Sequence, residues 1–356
     1  MEEAEVVFPR RRSRVIYAGS VAIGGDNPVS VQTMTKTKTA DWMATAEQIN
    51  RCADAGADLV RVTVNDMPAA EAMQEIIHLA KVPVVADIHF NHIYAIKAME
   101  AGVAKVRINP GNIGSRARIE EVLGMAKDRG IPIRIGVNSG SLEKDILERH
   151  GAPTADALYE SAMRHAEIAV DFGFEDLAIS VKSTSVPLMI AAYRLIASKT
   201  DFPLHLGVTE AGTLRAGTIK SCIGIGALLA EGIGDTIRVS LTDDPVLEVE
   251  TGLELLRSLG LRRRAVELIS CPTCGRLEVD LIKIATELER RLAGVKKSVK
   301  VAVMGCAVNG PGEAREADIG VACGRREALL FRRGEVLGKI PENEIIETVY
   351  REVMKF

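Results

Sequence analysis

No stretch of the 356-residue sequence approaches the ~18 consecutive apolar residues that a membrane-spanning helix requires. Nor is there a basic excess of the kind that marks a nucleic-acid binder, since 45 Lys and Arg stand against 48 Asp and Glu, a formal net charge of -3. The short basic runs Arg10–Arg12 and Arg262–Arg264 read as solvated surface. The opening residues MEEAEVVFPRRR pass from acidic to basic without the apolar segment of a secretion signal. A cytoplasmic protein is therefore expected, with no membrane and no nucleic acid among its partners. Disulfides seldom persist in that compartment. The six unevenly spaced cysteines then point to metal or redox ligands plus a few buried thiols. Two further absences matter below: no Gly-x-Gly-x-x-Gly follows the first strand, and no histidine follows His205.

With 47% apolar and 26% charged residues, the composition is that of an ordinary globular protein. Its length exceeds what one core usually sustains, so two domains are expected, at 1–260 and 261–356. From Val29 to about Leu259 a short apolar strand, a polar loop and an amphipathic helix recur. The expected strands are Val29–Met34, Leu59–Val64, Val82–Ile88, Ala104–Ile108, Ile131–Val137, Asp176–Val181, Pro203–Val208 and Thr236–Leu241. Helices are expected between them, for example over Ala44–Ala55, Ala69–Lys81 and Thr154–Phe172, with Gly56, Gly102, Gly130 and Gly173 closing helix ends. Eight β/α units in this span suit a (β/α)8 TIM barrel. A doubly wound open sheet is the alternative, weakened by the missing glycine fingerprint. Val15–Tyr17 and Val21–Ile23 flank a Gly-Ser pair and form a candidate hairpin under the barrel. Past Leu259 a basic connector leads into a smaller α+β domain. Its expected parts are a helix over Val279–Arg291, strands at Val299–Met304 and near Ile319–Ala322, a hairpin around Phe331–Lys339 and a helix from Glu342.

Barrel chemistry sits at the C-terminal ends of the strands, and here those ends are polar. Arg61, Arg107, Arg134, Lys182 and Arg238 lie on strands that otherwise read as core, beside Asp87, His89, Asn109, Asn138, Glu210 and Ser240. Unpaired buried charge is expensive. Pairing the cations with Asp87 and Glu210 leaves most of them unmatched, so a multiply charged anion, a phosphate or diphosphate ester, is the better completion. Glu210 is the foremost acid/base candidate.

In the smaller domain, Cys271-Pro-Thr-Cys274-Gly-Arg is followed by Gly305-Cys306-Ala-Val-Asn-Gly-Pro-Gly-Glu313. Structural zinc prefers four Cys or His ligands, and there are three good cysteines without a nearby histidine. Three thiolates plus an oxygen ligand suit a [4Fe–4S] cluster with one open iron. The segment Asn309-Gly-Pro-Gly is expected to wrap closely around a cofactor. Cys52 and Cys222 read as buried thiols, and Cys323, in the strand-like run IGVACG, is either a fourth ligand or another buried thiol. A phosphate-binding barrel lyase or aldolase with a structural zinc domain is the competing reading.

VQTMTKT, ADIHF, RINPGNIG, RIGVNSGSL, SVKS, LHLGVTEAG, GDTIRVSLT, CPTCGR and GCAVNGPGE, in this order, resemble the bacterial 4-hydroxy-3-methylbut-2-en-1-yl diphosphate synthase family, also called IspG or GcpE, in its short two-domain form. The resemblance implies two-electron reductive ring opening and dehydration of 2-C-methyl-D-erythritol 2,4-cyclodiphosphate in the methylerythritol phosphate route to isoprenoids. It implies that Arg61, Arg107, Arg134, Asn138, Lys182, Arg238 and Ser240 hold the substrate and that Glu210 donates a proton. Cys271, Cys274, Cys306 and Glu313 match the ligands of one [4Fe–4S] cluster per chain. Flavodoxin or ferredoxin as electron donor, and a homodimer whose active site is shared between chains, are also implied.

Overall fold

The computed structural model describes residues 9–109, 113–262, 266–295 and 297–356. The connector residues 263–265 and the Pro-Gly-Asn of the fourth barrel loop lie outside the described residues. The chain divides into two compact units, Met1–Arg262 and Arg263–Phe356.

The first unit begins with an antiparallel hairpin of β1 (Ile16–Ala18) and β2 (Val21–Ile23). Ile16, Ala18 and Ile23 pack on Leu59, Val85 and Ala178, which sit at or next to the starts of their strands, so the hairpin closes the barrel floor. Eight parallel strands follow. They are β3 (Ser30–Met34), β4 (Leu59–Thr63), β5 (Val84–Ile88), β6 (Lys105–Ile108), β7 (Ile133–Asn138), β8 (Leu177–Lys182), β9 (His205–Leu206) and β10 (Thr236–Ile237). Their order, β8-β7-β6-β5-β4-β3-β10-β9, is joined end to end by the parallel bridge of Ile179 with Leu204. The sheet is therefore a closed barrel, which periodicity alone does not reveal. β9 and β10 are shorter than their apolar runs. The ladder persists loosely beyond them, with the Arg238 N–H donating to the Leu206 carbonyl at 2.9 Å.

Strand alternation then sorts the side chains. Val60, Val62, Ala86, Ile88, Val106, Ile108, Ile133 and Ile135 face the helices in the main apolar cluster. Their neighbours Arg61, Asp87, Lys105, Arg107 and Arg134 are buried on the opposite face, inside the barrel. Runs that read as almost continuously apolar are thus apolar outside and polar inside. Side-chain caps set the helix starts. The Asp66 carboxylate accepts from the Ala69 N–H at 2.8 Å, so Met67–Leu79 begins two residues ahead of the expected Ala69.

The second unit is a five-stranded sheet in the order β11 (Val266–Ser270), β12 (Val299–Met304), β13 (Ile319–Cys323), β14 (Glu327–Arg332) and β15 (Glu335–Pro341). The first three are parallel, and the last two run antiparallel through a turn at Arg333 and Gly334. Val301, Val303, Val321 and Cys323 pack with helices Leu281–Leu292 and Ile345–Met354. The opposite face, through Ala302, Met304, Ala322 and Phe331, receives Ala314 and Ala317. Ala314 belongs to a short helix, Gly310–Arg315. The sequence reading makes this segment a wrapping loop. Helix wins because Gly310 must pack flat: a Cβ there would lie 3.0 Å from Met304 and 3.2 Å from Ala322.

Candidate functional site

At the barrel mouth, β5, β6 and β7 present Asp87, Arg107 and Arg134 side by side in register. Asp87 is a hub, with Arg107 Nη1 at 3.0 Å, Arg61 Nε at 3.6 Å and His89 Nε2 at 3.8 Å. Burial pushes the Asp87 carboxyl up, but Arg61 and Arg107 outweigh it and hold the group well below the usual carboxylate range. Burial also lowers the Arg61 guanidinium to about 10 against the pull of Asp87. Arg61 also directs Nη2 and the same Nε to the Met34 sulfur, at 2.9 and 3.2 Å. A thioether is a weak acceptor, so these donors have capacity for a stronger one.

The second carboxylate comes from a place that no motif marks. Glu248, 1% exposed on helix Pro245–Ser258, receives Arg238 Nε at 3.3 Å and Arg238 Nη2 at 3.4 Å. It also accepts from the Thr33 hydroxyl at 2.8 Å and the Leu241 N–H at 3.0 Å. Lys36 Nζ, at the end of β3, lies 4.0 Å from it. One buried carboxylate therefore ties together the ends of β3 and β10. The signal that points to it in the sequence is an acidic residue in the first turn of the helix after the last strand.

Among the described residues Arg134 and Lys182 receive no carboxylate. Arg134 is 1% exposed, and its Nε and Nη1 have no hydrogen-bond partner among the described residues. Lys182 is buried, and desolvation followed by Arg134 and Arg61 drives its ammonium well below the ordinary lysine range. Two glycines make room for these cations. A Cβ on Gly207 would lie 2.9 Å from Lys182 Nζ, and one on Gly136 would lie 2.5 Å from Arg107 Nε. Gly136→Ala should therefore dislodge Arg107 from Asp87. Overpacking of about 1–3 kcal/mol is expected as a lower melting temperature together with weaker anion binding, checked by thermal unfolding and pyrophosphate titration.

The other residues singled out from the sequence surround this group. Asn109 is buried after β6, and Asn138 ends β7 half-buried, in register with Lys182. Ser240 is half-buried in the extended segment after β10. Glu210 is exposed, makes no ion pair among the described residues, and sits at φ 51. That left-handed conformation costs a non-glycine residue roughly 1–2 kcal/mol. The surrounding loop imposes it and projects the carboxyl from the end of the β9 segment.

In the second unit, the parallel pair β11 and β12 delivers Cys271 and Cys306 to neighbouring strand ends. The Gly305 N–H donates to Cys271 Sγ at 3.3 Å, and the Glu278 N–H donates to the Gly305 carbonyl at 3.1 Å, so the two cysteine loops are tied together. Cys271, Cys274, Cys306, Asn309 and Glu313 line one cavity of about 390 Å³. Backbone N–H groups of Asn309 and Val308 lower the Cys306 thiol, and the Arg276 N–H and guanidinium lower Cys274. Both effects favour thiolate, the form that binds metal. Cys323 is the opposite case, since burial pushes it up to about 12. Cys52 is buried and raised to about 11, while Cys222 is half-buried. Among the described residues no three His, Cys, Asp or Glu side chains are placed to hold a metal ion. The cavity between the thiols instead has room for a group several atoms across.

A closed barrel with a cation-rich mouth, followed by an α+β unit that turns three thiols into one cavity, defines a two-domain barrel protein with an anion-receptive and a thiol-lined site. Its first unit is similar in fold to the Plasmodium falciparum HPPK-DHPS structure with STZ-DHP (TM-score 0.50, 12% identity, 71% of this chain and 51% of that one). The GcpE TIM-barrel domain model matches residues 13–253 and the GcpE protein C-terminal domain model matches residues 267–355. The chain belongs to the GcpE family. Relatives named 4-hydroxy-3-methylbut-2-en-1-yl diphosphate synthase (flavodoxin) include those of Geobacter sulfurreducens, 53% identical over 97% of this chain and 98% of the relative, and Clostridium perfringens, 55% identical over 96% and 98%.

Proposed function

We propose that this chain catalyses the reaction for which its relatives are named, forming 4-hydroxy-3-methylbut-2-enyl diphosphate from 2-C-methyl-D-erythritol 2,4-cyclodiphosphate. Two electrons and two protons enter, the ring C–O bond to phosphate breaks, and one hydroxyl leaves as water. The observation that carries this reading is the surplus of buried cations at the mouth, above all Arg134, whose donors lack a protein partner among the described residues. A diphosphate supplies the missing charge and accepts Arg in bidentate fashion.

In this reading Arg61, Arg107, Arg134, Lys182 and Arg238 hold the diphosphate and stabilise the charge that grows on its oxygen as the ring opens. Asn138 and Ser240 bind the polyol, while Asp87, with His89 and Asn109 beside it, fixes the arginines. The Glu210 carboxyl donates a proton to the departing hydroxyl. Cys271, Cys274, Cys306 and Glu313 hold one [4Fe–4S] cluster, which when bound supplies single electrons and a Lewis-acidic iron. The lowered Cys274 and Cys306 thiols and the size of the cavity support this fit. Flavodoxin is the electron donor named with the relatives. The proposal extends to a cytoplasmic homodimer in which each barrel mouth is served by the partner's cysteine unit, a reading motivated by the short stretch between Ser258 and Val266. Among the described residues no helix is long and apolar enough to cross a membrane.

Protein loaded with iron and sulfide without oxygen should convert the cyclic diphosphate to the open diphosphate when given reduced flavodoxin. Absence of product from fully loaded protein overturns the proposal. Zinc in place of iron and sulfide favours the lyase reading.

A further inference from the structure

Six cationic side chains, Arg61, Lys105, Arg107, Arg134, Lys182 and Arg238, lie on the inner faces or at the ends of the barrel strands, and among the described residues two carboxylates, Asp87 and Glu248, are paired with any of them. Lys105 is not among the residues that the sequence marks as a site. It lies on β6 two residues before Arg107, on the same inward face and one layer deeper. Its side chain is 0% exposed, and Nζ has no hydrogen-bond partner among the described residues. The charges that act on it most among the described residues are Arg134 and Arg61, both cations. Elsewhere on the inner strand faces, Ser30 and Gln32 on β3 and His205 on β9 also hold buried polar atoms without partners among the described residues, and Thr236 on β10 is 3.4 Å from His205 Nδ1. Tyr193 donates its hydroxyl to the His205 carbonyl, and burial raises its pKa, so it brings no negative charge.

Arginine cannot shed its proton in such a site, whereas lysine can. Burial, then Arg134 and Arg61, drive the Lys105 ammonium well below the ordinary lysine range. Lys182 and His205 are driven the same way. Among these cations the lysines are therefore the groups able to release a proton. A diphosphate reverses the balance, because its negative charge favours the protonated form of every lysine near it.

We infer that Lys105 is a further residue of the anion site: uncharged beneath the empty mouth, it takes up a proton when a diphosphate settles on the arginines above it. The inference rests on the diphosphate reading of the mouth and adds that binding is coupled to protons, with Lys105 and Lys182 sharing the uptake.

The test is calorimetric titration of oxidised, cluster-loaded protein with the cyclic diphosphate, without electron donor, in two mildly alkaline buffers of unlike ionisation enthalpy. Each phosphorus of this ligand carries one strongly acidic oxygen, so it stays ionised and any proton taken up goes to the protein. Wild type should show net proton uptake and an apparent Kd that rises with pH. Lys105→Met should bind with about half that uptake, Lys182 carrying the remainder in a coupled titration. Should Lys105→Met fail to fold, Lys105→Arg, which keeps a fixed charge, should show the same reduction. Binding without proton uptake in wild type overturns the inference and leaves the diphosphate reading standing. Uptake unchanged in either Lys105 variant also overturns it. No binding at all overturns the diphosphate reading beneath it.

Discussion

Arg134→Met should weaken binding of the cyclic diphosphate by roughly 100-fold, about 3 kcal/mol, while raising the melting temperature of the ligand-free protein. The two effects share one cause. Arg134 is 1% exposed on β7, next to Arg107 in register, with Nε and Nη1 unpartnered among the described residues. Burial, then Arg61 and Arg107, lower its guanidinium well below the ordinary value, which means that folding works against this charge. Asp87, the anion that faces it, is already committed to Arg107 at 3.0 Å and Arg61 at 3.6 Å. Methionine of similar length removes the uncompensated cation without leaving a large void. Each kcal/mol regained should appear as roughly 2–4 °C for a unit of this size. Calorimetric binding and thermal unfolding of the same sample check both signs. A variant that loses affinity and also loses stability would make Arg134 a structural residue and remove the main support for an anion at the mouth.

Cys306→Ser should leave the barrel folded but abolish iron and sulfide loading, with kcat falling by roughly three orders of magnitude or more, about 4 kcal/mol of barrier. The Cys306 sulfur receives the N–H groups of Asn309, Val308 and Gly310, so its thiolate is the form that the backbone favours. Serine presents an alkoxide precursor of far higher pKa at the same point. Cys222→Ser, half-buried in helix Leu214–Ala230, should load normally and serves as the control. Iron and sulfide analysis with the visible spectrum of the loaded protein reads the result. Mixing Cys306→Ser with Glu210→Gln then tests the shared site. Mixed dimers that recover activity above either parent place the two functions in different chains. No recovery after confirmed subunit exchange places both in one chain.

The cysteine cavity was legible from spacing, because Cys271-x-x-Cys274 and Cys306 each follow a strand, and adjacent parallel strands bring their ends together. The local form of the second loop was not. Asn309-Gly-Pro-Gly reads as a segment that wraps closely around a cofactor, and its packing against Met304 and Ala322 gives it the form of a short helix. Glu210 was legible as a polar residue at a strand end, but its left-handed backbone at φ 51 was not. Such a conformation belongs to the loop that imposes it rather than to the residue type.

The cations at the mouth divide in the same way. Their presence on strands is written in the sequence, because alternation along a strand is a local property. Eight β/α units, a hairpin at the front and an α+β unit behind Leu259 follow from periodicity for the same reason. Which cation is neutralised depends on residues distant in the chain. Glu248 reaches Thr33 across 215 positions from a helix with no motif, and Lys105 is left without an anion among the described residues because the closed barrel sets it near other cations. Spacing determined that this protein carries charge where core is expected. Barrel closure alone decided which of those charges are matched, since pairing energy depends on distance in space and desolvation on what the other seven strands enclose.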